Sequence, residues 1–317
     1  MNQATALAHP NIALVKYWGK RASENNIPAT PSLSITLDTL VTRTSVRESE
    51  QDQIEINGSV VSDTKIEDFL VRLRAAYSLP PLAIESSSNF PTSAGLASSA
   101  SGFAGLLTAI DTAFGLDMNA SERSMWARRG SGSAARSIFG GFASLEEENG
   151  HWCARGVLPR EAWPLKVVIA ITSETAKTVG STAGMERSEK TSPYYGAWTE
   201  STRLDHAAGL SAVSRQDFSR LGSIAESSCL KMHALMLSSQ PPLFYWNGAT
   251  VETIAAVREL QGGGVRVFFT IDAGPQVKAI CQENAAGVVA ERLASVPGVL
   301  RTLVCGLGPG AYVDQPG

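Results

Sequence analysis

The chain reads as an α+β protein, with strands and helices mixed in both halves rather than in regular alternation. Three patterns predict this. A hairpin signal, Asn57-Gly58, lies between the strand-like QIEI and SVV. An amphipathic helix pattern runs through Ile66, Phe69, Leu70, Leu73 and Tyr77. The continuous apolar run LKVVIAIT (165–172) has the character of a central strand. At 317 residues the chain can hold a substantial core and one large or two ordinary domains. A boundary is expected just before the apolar run, around Pro164, giving 1–164 and 165–317.

Taken in order, residues 4–17 are largely apolar with a polar break at His9, Pro10 and Asn11, which predicts a buried strand interrupted by a turn. SLSITLDTLVTRTSV (32–46) alternates like one half-buried strand. Thr64 with Glu67 predicts a capping box for the amphipathic helix, which Pro80 and Pro81 end. LAIES (82–86) is a short strand that delivers the chain to NFPTSAGLASSASG (89–102) and a helix closed by Gly115. Ser121 is the expected cap of the next helix, through MWARR. Beyond the apolar run come a polar loop over 177–195, two helices to about Ser239, a turn at Pro241-Pro242 and a further helix. The strand VRVFFTI, then Asp272-Ala273-Gly274-Pro275, a helix and the strand LRTLVC complete the reading.

Composition narrows the function. The chain is 44% hydrophobic and 18% charged, with net charge −3, so it carries no global basic footprint for nucleic acid or an anionic membrane. Cys153, Cys229, Cys281 and Cys305 form no CxxC pair, which fits free thiols in a reducing compartment. No leader pattern or membrane-length apolar run is read, so a cytoplasmic setting is expected. Among phosphate-binding signatures, GxxxxGK[ST] is absent. Gly306, Gly308 and Ala311 fit a loose GxGxxA but leave no room for a βαβ unit. A GxSxG elbow is also absent. What remains is the glycine- and serine-rich stretch, where a loop enters a helix whose first amides lack internal partners. That junction can hold phosphate, with Ser98 and Ser99 adding hydroxyls for phosphate oxygens or magnesium. By itself it also fits a tight turn opening a buried helix.

NIALVKYWGK (11–20), PTSAGLASSASG (91–102), RRGSGSAARS (128–137) and TIDAGP (270–275) occur in that order, with GSTAGM, KTSPYY and PPLFYWN between them. Together they closely resemble the GHMP kinase superfamily and, within it, the mevalonate diphosphate decarboxylases, over nearly the whole chain. The resemblance implies two α+β lobes, the first like ribosomal protein S5 domain 2 and the second ferredoxin-like, flanking a deep cleft, usually in a homodimer. It implies a reaction in which ATP and magnesium phosphorylate the tertiary alcohol of a phosphorylated mevalonate, after which phosphate and carbon dioxide leave.

The same resemblance assigns residues. Asp272 matches the catalytic aspartate, and a carboxylate beside a hindered alcohol suits its deprotonation; alone, it also fits a helix N-cap. Arg136 matches the arginine that grips the substrate carboxylate, with Asn11 orienting it. Lys16, Tyr17 and Lys20 match contacts to the substrate's phosphate end and the transferring phosphate, Lys16 among the catalytic group. Ser131, Ser133, Ser181 and Thr182 match substrate-binding positions. Pro91, Gly95, Leu96, Ala97, Ser98 and Ser99 are the expected ATP contacts, with Ser98 near magnesium. His9, His151, His206 and His233 carry no catalytic assignment. Three departures bear on substrate choice: Gln276 where the family's DAGPN has asparagine, Pro31 in TPSLS, and Glu186 after Met185 where some relatives have arginine. A site with fewer cations at its phosphate end would suit mevalonate 5-phosphate or unphosphorylated mevalonate, the latter as a 3-kinase. A catalytically silent nucleotide-binding regulator is the reading outside enzymes.

Overall fold

The computed structural model describes residues 2–22, 24–90 and 97–314. The chain opens with β1 (Gln3–Ala8), β2 (Asn11–Val15), β3 (Lys20–Ala22), β4 (Ile27–Pro28), β5 (Ser32–Thr36), β6 (Thr42–Glu48), β7 (Gln53–Ile56) and β8 (Ser59–Val60). Then come α1 (Thr64–Tyr77), β9 (Leu82–Ser88), α2 (Ser98–Phe114), α3 (Ala120–Gly130), α4 (Ala134–Ser137), β10 (Phe142–Glu148), β11 (His151–Leu158) and β12 (Leu165–Ile171). The remainder is α5 (Ser181–Thr191), α6 (Tyr195–Ser214), α7 (Phe218–Leu237), α8 (Gly248–Gly262), β13 (Val267–Ile271), β14 (Val277–Gln282), α9 (Ala286–Ala294), β15 (Arg301–Gly306) and β16 (Tyr312–Val313).

The strands form a six-stranded sheet in the order β16-β1-β6-β9-β7-β8, two four-stranded sheets, β11-β10-β5-β2 and β13-β14-β12-β15, and the small pair β3-β4. The apolar run is β12, an inner strand as its composition predicts. Asn57 and Gly58 join β7 to β8 with φ of 51° and 79°, the left-handed pair that a tight hairpin turn needs. The largest apolar cluster joins Ile12, Leu14, Leu33, Ile35 and Phe142 to Val167, Ile169, Val213, Leu221 and Phe268, so the middle sheet and the elements after residue 164 share one core.

Several expectations need correction. The break at His9-Pro10 and the stretch 37–41 are each crossings between sheets: β1 and β6 pair in one sheet, β2 and β5 in another. Apolar residues lie on both sides of each crossing, so periodicity cannot reveal which sheet each strand joins. Asp63, not Thr64, caps α1, accepting from the amides of Lys65 and Ile66 at 2.9 and 3.2 Å. Asn119, not Ser121, caps α3 in a capping box with Glu122. The expected polar loop contains α5, whose Ser- and Thr-rich start hid it. Asp272-Ala273-Gly274-Pro275 leads into β14 rather than a helix, so Asp272 is not a helix cap.

Two details brace the architecture. The free edge of β13 is closed by α7: Glu226 accepts from the Phe269 amide at 3.2 Å and Cys229 Sγ from the Ile271 amide at 3.2 Å. The GLGPG segment threads between the end of β5 and the α4–β10 connection. Gly308 donates to the Thr36 carbonyl at 2.7 Å and Gly141 donates to the Gly308 carbonyl at 3.0 Å. A Cβ on Gly308 would fall 1.9 Å from the Leu37 carbonyl oxygen. Both atoms are held by backbone, so Gly308→Ala is expected to lower stability by about 3 kcal/mol; an unchanged urea midpoint would contradict this packing.

Candidate active site

β2 is buried along its whole length, and the chain leaves it directly into Lys16. The Lys16 amide donates to Ser228 Oγ of α7 at 3.0 Å, which fixes the direction of the side chain. Its ammonium donates to Asp272 Oδ1 at 2.6 Å. Asp272 follows β13, and Lys278, on the neighbouring β14, reaches its other oxygen at 3.1 Å. Both lysine side chains are 1% exposed against 25% for the carboxylate, so the cations lie beneath and the anion faces the cleft. Burial opposes ionisation of Asp272, but the Lys16 and Lys278 charges outweigh it and hold its pKa well below the usual carboxylate range. His233, behind them, is pushed down to about 3 by burial and by Lys16, and stays neutral.

Arg136 sits on the short helix α4, 2% exposed. Its Nε donates to Asn11 Oδ1 at 3.2 Å and its Nη1 to Ser32 Oγ at 2.5 Å. Asn11 is itself held, donating to Ser137 Oγ at 2.8 Å and to the Ser133 carbonyl at 2.9 Å. Arg136 forms no ion pair among the described residues. Burial pushes its pKa down to about 10, with Tyr17 and Asp272 opposing the shift, so the group remains a cation. A buried, oriented and uncompensated guanidinium is suited to a carboxylate ligand.

The other predicted residues converge on the same cleft, whose volume is ≈ 600 Å³. The Tyr17 hydroxyl is buried with no hydrogen-bond partner among the described residues, and burial raises its pKa to about 12. Gly132 permits this placement, since a Cβ there would lie 2.3 Å from that hydroxyl. Lys20 donates to Thr182 Oγ1 at 3.3 Å; burial lowers its pKa while Glu186 opposes the shift. Ser99, Ser131 and Ser133 form a hydroxyl chain with successive separations of 3.3 Å. Ala97, at the N-terminus of α2, has a left-handed φ of 58° and no side-chain cap, and with Ser98 and Ser99 it borders the cleft. Ser98 and Ser181 complete the lining. Pro91, Gly95 and Leu96 lie outside the described residues.

Sequence reasoning missed Lys278, Ser32, Ser137 and Lys177, which donates to Ser181 Oγ at 2.7 Å. The available signal for Lys278 was a lysine inside the otherwise apolar VKAIC, six residues beyond Asp272. Of the departures, Gln276 is buried and accepts from the Thr172 amide at 2.7 Å, so it ties the end of β12 rather than facing a ligand. A second groove, ≈ 720 Å³, lies over α7, α8 and β13. Its buried Glu226 pairs with Arg258 at 2.8 Å and accepts from Gln261 at 2.8 Å, so that charge is used within the fold.

Residues 8–154 match the family model described as the diphosphomevalonate decarboxylase-like N-terminal domain. Residues 167–300 match the mevalonate 5-diphosphate decarboxylase C-terminal domain. The sequence is similar to the curated diphosphomevalonate decarboxylase of Candida albicans, 37% identical over 301 residues covering 87% of this chain and 83% of that one. In structure it is similar to mevalonate diphosphate decarboxylase from Staphylococcus aureus, with TM-score 0.92, 33% identity and coverage of 99% and 98%. It is also similar to MDDEF in complex with MVAPP, AMPPCP and magnesium, with TM-score 0.91, 35% identity and 99% of each chain covered.

The Asp272 charge state gives a pH test. A carboxylate whose folded pKa is depressed contributes stability above its unfolded value and loses it as pH falls towards the folded one. Asp272→Asn, which strands two buried ammonium groups, is expected to cost about 3 kcal/mol at neutral pH. In denaturant titrations the gap to wild type should stay constant down to about pH 5 and close only below about pH 4. A gap that stays constant below about pH 4 would mean that Asp272 titrates normally, and one that widens as pH falls would mean that it titrates upward.

Proposed function

The chain belongs to the diphosphomevalonate decarboxylase family, and on that premise we propose how its cleft carries out the ATP-dependent decarboxylation of mevalonate 5-diphosphate. Its fold is the GHMP kinase-like α+β type. The observation that carries the mechanism is the pairing, in one cleft, of an ionised carboxylate braced by two ammonium groups with a buried guanidinium that has no counter-ion among the described residues.

ATP bound with magnesium would supply the γ-phosphoryl group, its bond to ADP breaking as the bond to the substrate oxygen forms, and the metal would offset the phosphate charge. Asp272 accepts a hydrogen bond from the tertiary hydroxyl. Because the lysines make it a weak base, it takes the proton only as the oxygen–phosphorus bond forms and the hydroxyl becomes acidic. Lys16 aims the carboxylate and places a cation beside the phosphoryl oxygens. Arg136 grips the substrate carboxylate, held in plane by Asn11 and Ser32. That grip aligns the bond to the carboxylate carbon with the breaking carbon–oxygen bond. Phosphate leaves with the electrons of the carbon–oxygen bond. The electron pair that held the carboxylate becomes the new carbon–carbon double bond, releasing carbon dioxide and isopentenyl diphosphate.

Around that pair, Tyr17, Lys20, Ser131, Ser133, Ser181 and Thr182 bind the substrate, the unpartnered Tyr17 hydroxyl serving as a donor. Ala97, Ser98 and Ser99, together with Pro91, Gly95 and Leu96, take the nucleotide at the α2 N-terminus. Among the described residues no cluster of three or more His, Cys, Asp and Glu side chains could hold a metal. Magnesium would enter with the nucleotide, and Ser98 is the protein residue that would hold it. We also propose a homodimer in a reducing cytoplasm, the latter supported by four free cysteines. Residues 1–164 and 165–317 are its two lobes. Among the described residues no helix is long and apolar enough to cross a membrane.

The test is carbon dioxide release with ATP and magnesium, comparing mevalonate, its 5-phosphate and its 5-diphosphate. Release should occur with the diphosphate; release chiefly with the monophosphate would transfer the function to that substrate and implicate Glu186 beside Lys20. Asp272→Asn should slow ADP formation by about 10²–10⁴-fold, and near-normal turnover would remove it from the base role. Arg136→Lys should cut carbon dioxide release by about tenfold or more, since one point charge cannot replace a two-pronged grip. An unchanged rate would contradict the carboxylate clamp.

A further inference from the structure

Past Ser99 and Ser131 the cleft continues to a group of charges that the mechanism above does not use. Arg129, near the end of α3, lays its guanidinium carbon 3.9 Å from the centre of the Trp126 ring. Trp126 is anchored from behind, donating Nε1 to the Tyr77 hydroxyl at 3.1 Å. The Arg129 carbonyl accepts from Asn26 Nδ2 at 2.8 Å, which fixes the backbone of the turn. The guanidinium plane is therefore set before any ligand arrives. Its Nε–H is buried without a hydrogen-bond partner among the described residues.

Lys65, Asp68 and Arg72 of α1 border the same end of the cleft, at a spacing that places them on one helical face. Neither these three nor Arg129 forms an ion pair among the described residues. The cations sense one another: after burial, Arg72 pushes the pKa of Arg129 down against Tyr77. Lys65 likewise adds to the burial that lowers Lys20 and Lys177. Three cations around one carboxylate repel each other in the free protein, and an anion with charge spread over several groups relieves that repulsion.

The position indicates which anion. Gly130, next to Arg129, packs so tightly on Phe103 of α2 that a Cβ would fall 2.1 Å from the ring. Ser131 touches Ser99 in the first turn of α2. Arg129 and Arg72 thus flank the turn assigned to nucleotide phosphate, whereas Lys65, whose charge acts on Lys20 and Lys177, lies toward the substrate's own phosphate end with Lys20 and Thr182. Residues 75–122, which include that turn, contain no lysine or arginine. We propose that Arg129 and Arg72 supply the missing charge by gripping the polyphosphate of ATP. This inference rests on the nucleotide reading above.

The test titrates AMPPCP with magnesium into protein saturated with mevalonate 5-diphosphate, by calorimetry, for wild type, Arg129→Gln, Arg129→Lys and Arg72→Gln. Arg129→Gln should weaken AMPPCP and raise the KM for ATP by about tenfold or more, with Arg129→Lys recovering part of the loss. Arg72→Gln, on a partly exposed helix face where misfolding is not a concern, should weaken AMPPCP about threefold or more. The KM for mevalonate 5-diphosphate should stay within about twofold, and raised salt should weaken wild type more than Arg129→Gln. Unchanged AMPPCP affinity in both Gln variants would overturn the proposal. So would a loss confined to the mevalonate 5-diphosphate KM, which would assign the cluster to the other phosphates. If wild type takes no AMPPCP, the nucleotide reading fails and this inference falls with it; equal binding by wild type and variants sinks this inference alone.

Discussion

One carboxylate between two buried ammonium groups holds this structure in register. Lys16 and Lys278 lie 262 positions apart in the sequence, and each is nearly sealed from water. Either would be costly to bury without a counter-charge. Asp272 meets both, so the exit of β2, the end of β13 and the start of β14 have little freedom to move relative to one another. The shared core beneath them, from Ile12 to Phe268, imposes the same relation through packing. Apolar burial supplies most of the adhesion and the charge triad supplies the alignment.

That arrangement also divides the cleft by electrostatic character. Around Asp272 one carboxylate stands against two ammonium groups, which suits a step that must not raise a strong base beside a phosphoryl group. Among the described residues the Arg136 guanidinium donates to the amide oxygen of Asn11 and the hydroxyl oxygen of Ser32, which orient it without cancelling its charge. A cationic centre developing between the two regions would find hydroxyls and a carboxylate nearby. Arg136, which would oppose it, faces the departing carboxylate instead.

Much of this was legible because the chemistry-bearing residues come in short, ordered motifs. The α+β class and the central strand at 165–172 could be approached from residue pattern alone, and the gathering of Asn11, Arg136 and Asp272 from the family resemblance that the ordered motifs carry. Pairing could not. The strand-like pattern of residues 32–46 conceals a crossing between sheets, because a period of two says nothing about which partner a strand takes. The polar start of α5 looked like a loop since its helix relies on tertiary contacts, such as Met185 packing near Trp18, rather than on a cap. Lys278 was invisible as a site residue because a lysine in a strand is ordinarily at the surface; only the third dimension shows that it turns inward to Asp272. Pro91, Gly95 and Leu96 fall outside the described residues, so their part of the reading rests on sequence.

The return of β16 to β1 bears on how the chain is made. Ala6 pairs with Val313 and Leu7 with Tyr312, and Asp314 donates to the Thr5 carbonyl at 2.8 Å. One margin of the first sheet therefore cannot be completed until residues at the far end of the chain have left the ribosome. At about 5–20 residues per second, some 15–60 seconds pass between synthesis of the two partners. During that interval the β1 margin presents unpaired backbone groups, a template for a neighbouring nascent chain. The strand that closes it contributes only two residues, so its importance lies in ending that exposure more than in the contacts it adds.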